Sequence, residues 1–179
     1  MNTSNVIALA SVIAAIASAL FAGWVWWIAK RTMIHQALLD VQKDYRSPQM
    51  QYAVRTLWDF YRMYGKDKFV EEYEKKRKED DKWVSDQERQ KRIEFEQATL
   101  HYQRRLVSHF YQHLAALYIN GILPKGIVYS NWSEADLRII LEILIPIENK
   151  LREVLFKPPL EPLDNNCSLM VLYRDSKDC

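Results

Sequence analysis

From Val6 to Ala29 the chain runs twenty-four residues without a charge, and only Ser11, Ser18 and Gly23 interrupt its hydrophobic side chains. No other feature limits the fold as sharply. At about 1.5 Å per residue a helix of this length reaches roughly 36 Å, enough to cross the hydrocarbon core of a bilayer. Backbone donors and acceptors find no water there, and an uninterrupted helix pairs them within the segment. Trp24, Trp26 and Trp27 close the run, where indole rings favour the membrane–water boundary, and Lys30 and Arg31 follow at once. Met1 to Asn5 carry no basic side chain, so the positive-inside rule places them outside and the chain after Arg31 in the cytoplasm. The expected organisation is an extracytoplasmic N-terminus over 1–5, a transmembrane helix over 6–29, a cytoplasmic helical domain over 30–157 and a C-terminal tail over 158–179. This describes a single-pass protein of a prokaryotic inner membrane.

Two other readings compete with a membrane span. Ala17-Ser18-Ala19 has the small-residue character of a signal-peptide cleavage site, but a basic leading region is missing and the apolar run continues past it. A core helix of a soluble protein rarely stays uncharged for so long. Small residues recur every fourth position on two adjoining ridges, Ala10, Ala14, Ser18, Ala22 and Ser11, Ala15, Ala19, Gly23. Such a face lets another helix approach closely, which points to a homo-oligomer or a membrane protein partner. The plainer account is that alanine is common in membrane spans.

The remaining residues suit one all-α domain. Four Gly and six Pro punctuate 179 residues rich in helix formers. With 25 basic and 23 acidic residues the net charge is +2, so bulk charge gives no general attraction to nucleic acid, and a basic surface must be local. Cys167 and Cys179 lack the spacing of a disulfide scaffold or zinc cage, which fits reduced thiols; no cofactor is implied.

About four helices form the expected bundle. Ile34, Leu38, Leu39 and Val41 continue the membrane helix or form a short successor ending near Tyr45. Ser47-Pro48 marks a restart, after which Met50, Ala53, Val54, Leu57, Trp58 and Tyr61 make one apolar stripe ending at Gly65. Between Lys66 and Arg92 charges of both signs alternate, as on a solvated face laced with ion pairs, with Phe69, Tyr73 and Trp83 available to pin it. Ser85 and Glu88 have capping-box spacing and predict the longest soluble helix, running to Asn120. A turn at Leu123-Pro124-Lys125-Gly126 precedes a last long helix opened by Ser133 and Asp136 and kinked at Pro146. Pro158, Pro159 and Pro162 then leave an extended tail whose Leu169 to Tyr173 can dock on the bundle.

Reactive side chains concentrate between His101 and His113. His109 and His113 stand one turn apart and His101 two turns before, but no H-E-x-x-H pattern or acid in register completes a metal site. Trp58, Trp83 and Trp132 suit base stacking by type and core packing by position. Triads and Gly-rich phosphate loops are absent from the sequence. Arg104 and His109 match the R-x4-H pattern of HEPN ribonucleases, helical proteins in which two protomers cut RNA by histidine acid–base chemistry. Membrane-anchored relatives of that fold occur among CRISPR-associated accessory proteins, and the resemblance implies Arg104 and His109 as catalytic residues. In that family the motif usually opens a helix; here it falls inside one. The blocks at 52–61, 104–111 and 132–138 resemble an uncharacterised group of prokaryotic proteins with one N-terminal span and a charged helical domain. That second resemblance implies the topology and no activity.

Overall fold

The computed structural model describes residues 3–85, 96–160 and 167–177, with side chains from Ser11 onward. Every regular element among them is helical, as the composition demands. The expected positions Ala10, Glu88, Arg92, Ile93, Pro162 and Cys179 lie outside these side chains or residues. The chain divides into two units, Met1–Leu39 and Asp40–Cys179.

Helix α1, Thr3–Tyr45, is unbroken over 43 residues, so the segment after Arg31 continues it and forms no separate successor. Ser47 ends the interruption as expected: its Oγ accepts from the Met50 N–H at 3.2 Å, and Pro48 occupies the first helical position. Helix α2, Pro48–Ser85, bends at Gly65, whose φ of 69° and ψ of 169° belong to a region open essentially to glycine. Phe69 lies eight residues beyond Tyr61 and nine beyond Phe60, or at least 12 Å along a straight helix by about 1.5 Å per residue. Its ring sits 5.3 Å from Tyr61 and 5.9 Å from Phe60, so the bend brings the second half back onto the first.

The charged run from Lys66 therefore does not stand free in water. Phe69, Tyr73 and Asp80 are buried along one face, while Trp83 stays partly exposed. Its outer face carries the expected ion pairs, including Arg77–Glu74 at 2.8 Å and Lys76–Asp80 at 3.1 Å.

Helix α3, Leu100–Ile119, starts later than the Ser85/Glu88 spacing predicts. Ser85 ends α2, donating to the Lys82 carbonyl, and Thr99 caps α3 by accepting from the Tyr102 N–H. At 38 residues α2, not α3, is the longest helix of the second unit among the described residues. Leu100, Val107, Phe110, Tyr111, Leu114 and Ala115 repeat at three and four, and this stripe packs chiefly on α2.

Gly121, at φ 68°, turns the chain after α3. The expected turn at Pro124 also opens a short helix, α4, Lys125–Asn131, that periodicity did not predict. Ser133 and Asp136 form the predicted capping box of α5, Glu134–Ile139. A π-helical turn, Ile140–Leu144, connects α5 to α6, Ile145–Val154. The expected kink at Pro146 thus takes the form of a widened turn, in which the Ile145 N–H reaches back to the Ile140 carbonyl. The tail is not extended: α7, Ser168–Ser176, is a helix that buries Leu169, Met170, Leu172 and Tyr173, so the predicted docking residues do dock. Trp132, Leu57, Leu123, Leu137, Ile143 and Ile147 complete the core, each such side chain contributing about 1.5–3 kcal/mol relative to exposure.

Candidate functional site

Two regions carry residues with functional potential, one in each unit. In the first, α1 is long and apolar enough to cross a membrane, with a mean hydropathy of 2.0 in its most apolar stretch and no residue of that stretch buried. Val12, Ile13, Ile16, Leu20 and Phe21 are all exposed. Arg31 lies 4.1 Å over the Trp27 ring and Lys30 5.4 Å over Trp26, while Trp24 stacks tilted on Phe21. A cation over an indole face is held by the ring quadrupole and keeps its charge toward water. Of the small-residue ridges, Ala14, Ala15, Ala19, Ala22 and Gly23 are exposed, and Ser18 donates to the Ala14 carbonyl at 2.8 Å. That bond satisfies the serine hydroxyl inside the helix and leaves the face apolar.

In the second unit, α3 distributes its reactive side chains around its circumference. Arg104 and His109 are five residues apart, roughly 140° around the axis at about 100° per residue, and the structure does not bring them together. Arg104, in the second turn, points inward: it is buried, 3.6 Å from a Glu148 carboxylate oxygen on α6 and hydrogen-bonded to Tyr73 on α2. Its Nε has no hydrogen-bond partner among the described residues. The Tyr73 hydroxyl lies 3.1 Å from His101 Nδ1. Burial raises the Tyr73 pKa, opposed by the Arg104 guanidinium, and lowers that of His101, assisted by the same cation. Tyr73, His101, Arg104 and Glu148 thus form a polar node that ties three helices. Asp80 adds a second tie, accepting from the Leu100 N–H at 3.0 Å at the N-terminus of α3, where a carboxylate is favoured by the helix dipole.

His109 faces the opposite way. It is exposed and borders two adjoining clefts, of about 260 and 440 Å³. Tyr102, Arg105 and Glu96 line the smaller, and Asp44, Gln49 and His113 the larger. Arg105, not Arg104, shares a cleft with His109. Its four-residue spacing from His109 places both on one helical face, a signal that was present in the sequence. His101 is engaged inward and so does not join His109 and His113, and no cluster of three metal-ligating side chains occurs among the described residues. Of the tryptophans, Trp132 is buried against Tyr45 and Phe110, Trp58 packs on Tyr61, and Trp83 lines a cleft of about 550 Å³ with Phe60, Lys76 and Asp80.

An unpaired, water-facing imidazole can exchange protons with a ligand, whereas a guanidinium held by Glu148 and Tyr73 cannot reach one without rearrangement. Comparison with known protein-family models, curated proteins and solved structures returns no match.

Proposed function

We propose that this chain is a membrane-anchored helical interaction module that self-associates and holds its charged domain at the inner face of a prokaryotic membrane. One observation carries the reading: the apolar stretch of α1 is wholly unburied and ends in the cation-capped tryptophans Trp26 and Trp27. An apolar surface of that length is costly in water and favourable in lipid. The basic pair at Lys30 and Arg31 supports a cytoplasmic second unit. Binding rather than catalysis fits the second unit, whose buried polar groups are tied to one another. Carbonate washing tests the anchor: intact protein in the soluble fraction would sink it. Self-association is read from the mass of the detergent-solubilised complex, with Ala15→Leu and Gly23→Leu expected to shift it toward monomer; a monomeric parent chain would remove that part.

A membrane-tethered RNA-cleaving or phage-defence effector is the alternative, and the exposure of His109 beside Arg105 in an open cleft favours it. In a cellular toxicity or phage-challenge assay, full activity of His109→Ala would eliminate this reading.

A further inference from the structure

The C-terminus of α6 combines an exposed apolar tip with a backbone built to hold it outward. Val154, Leu155 and Phe156 are 64%, 62% and 98% exposed, the only three consecutive large hydrophobic side chains so exposed in the second unit among the described residues. Phe156 has a φ of 53°, the one non-glycine residue at positive φ among those described. The Lys157 N–H bonds to the Arg152 carbonyl at 2.9 Å and the Phe156 N–H to the Glu153 carbonyl at 3.1 Å. This is a Schellman cap, in which the left-handed position ordinarily belongs to glycine or asparagine.

Phenylalanine there is unfavourable twice over in water, once for its backbone and once for its ring. The loop is nevertheless clamped. Arg152 Nε donates to the Pro158 carbonyl at 2.8 Å, and the Asn149 side chain pairs with both the N–H and the carbonyl of Leu160 at 2.6 and 3.1 Å. The exposure is thus fixed by the fold and is not the fraying of a helix end.

We propose that Val154, Leu155 and Phe156 form a lipid-inserting tip by which the second unit engages the headgroup region of an anionic bilayer. The proposal rests on the membrane-anchored reading above, because a tethered domain needs only weak insertion to occupy the surface: the second engagement is intramolecular. Charge selects lipid as the occupant. Lys150, Arg152 and Lys157 flank the tip against a single acid, Glu153, which Lys150 pairs at 2.9 Å, so Arg152 and Lys157 leave it net positive beside an anionic leaflet. An aromatic ring with aliphatic neighbours and a basic rim is the composition that partitions into such an interface.

The test uses the full chain with Cys167 and Cys179 replaced by Ser and an environment-sensitive fluorophore at Val154→Cys, reconstituted into phosphatidylcholine vesicles with or without phosphatidylglycerol. In the anionic vesicles the label should become blue-shifted and several-fold brighter and be quenched by brominated lipid; the same label at Met63→Cys, also exposed, should stay aqueous. Phe156→Asn suits the left-handed backbone, keeps the fold by near-ultraviolet circular dichroism, and should abolish the signal. Lys157→Gln should lower the ratio of inserted to free tip about fivefold, the value of one basic residue near an anionic surface. If the chain floats with vesicles while the label remains aqueous, or Phe156→Asn leaves the signal unchanged, the tip does not insert and the anchor reading stands. A chain that fails to float ends both. A label that turns apolar in neutral detergent as protein concentration rises identifies a second copy as the occupant and overturns the proposal.

Discussion

Removing Glu148 should damage the protein more than removing its partner Arg104, although Arg104 is the more deeply buried of the two. The side chain of Arg104 is 10% exposed and that of Glu148 39%. Glu148→Ala strands a desolvated guanidinium whose Nε already lacks a partner. Breaking a fully buried pair in this way costs about 3–5 kcal/mol, and the water that reaches Glu148 reduces this to roughly 2–3 kcal/mol. Arg104→Met removes the buried charge itself, fills similar volume and leaves Glu148 facing solvent. Tyr73 keeps its contact with His101, so the net change should be about 0–1 kcal/mol in either direction. For a unit of this size the difference of about 2 kcal/mol corresponds to roughly 6 °C in melting temperature. Thermal unfolding of the detergent-solubilised full chain, followed by near-ultraviolet circular dichroism, reads the two variants side by side. If Arg104→Met melts at or below Glu148→Ala, the pair is net stabilising through the arginine and the desolvation argument is wrong.

Three further outcomes are expected. Because burial, and then Arg104, lowers the His101 pKa below its unfolded value of about 6.5, the unfolded state binds the proton more readily. His101 therefore destabilises the fold as pH falls through and below that value, and chemical denaturation across this range should show a slope that His101→Gln flattens. Gly65→Ala should cost about 1–3 kcal/mol, because a Cβ there meets open space and the penalty lies in the backbone alone; it should appear as a lower urea midpoint with an unchanged slope. Phe156→Asn should raise the melting temperature in detergent by relieving about 1 kcal/mol of left-handed strain; a lowered one would mean that the ring packs on something.

The features that were legible in the sequence are those fixed by local chemistry. Ser47-Pro48, Gly65, the Ser133/Asp136 box and the interruption at Pro146 each act within one turn, where side-chain and backbone geometry decide the outcome. The start of α3 was not legible, because neither Gly nor Pro lies between Gly65 and Asn120 and Thr99 competes with Ser85 as a cap. The nine residues of α7 are too few to be helical by propensity and owe their form to burying Leu169, Met170, Leu172 and Tyr173, a tertiary effect. The same division applies to the candidate site. A spacing pattern drew attention to Arg104 and His109, but only the fold shows that Glu148 and Tyr73 occupy the first while Arg105 accompanies the second.

The widened turn at Ile140–Leu144 has a consequence for how the chain tolerates length changes. A π-turn accommodates one residue more than the ordinary spacing, so it sets the angular phase of everything after it. Deleting one residue there would restore regular spacing and rotate α6 by roughly 100° about its axis. Ile147 would leave the core, Glu148 would swing away from Arg104, and Asn149 would release Leu160. One extra residue in a helix thus keeps the core and the polar node in register at once.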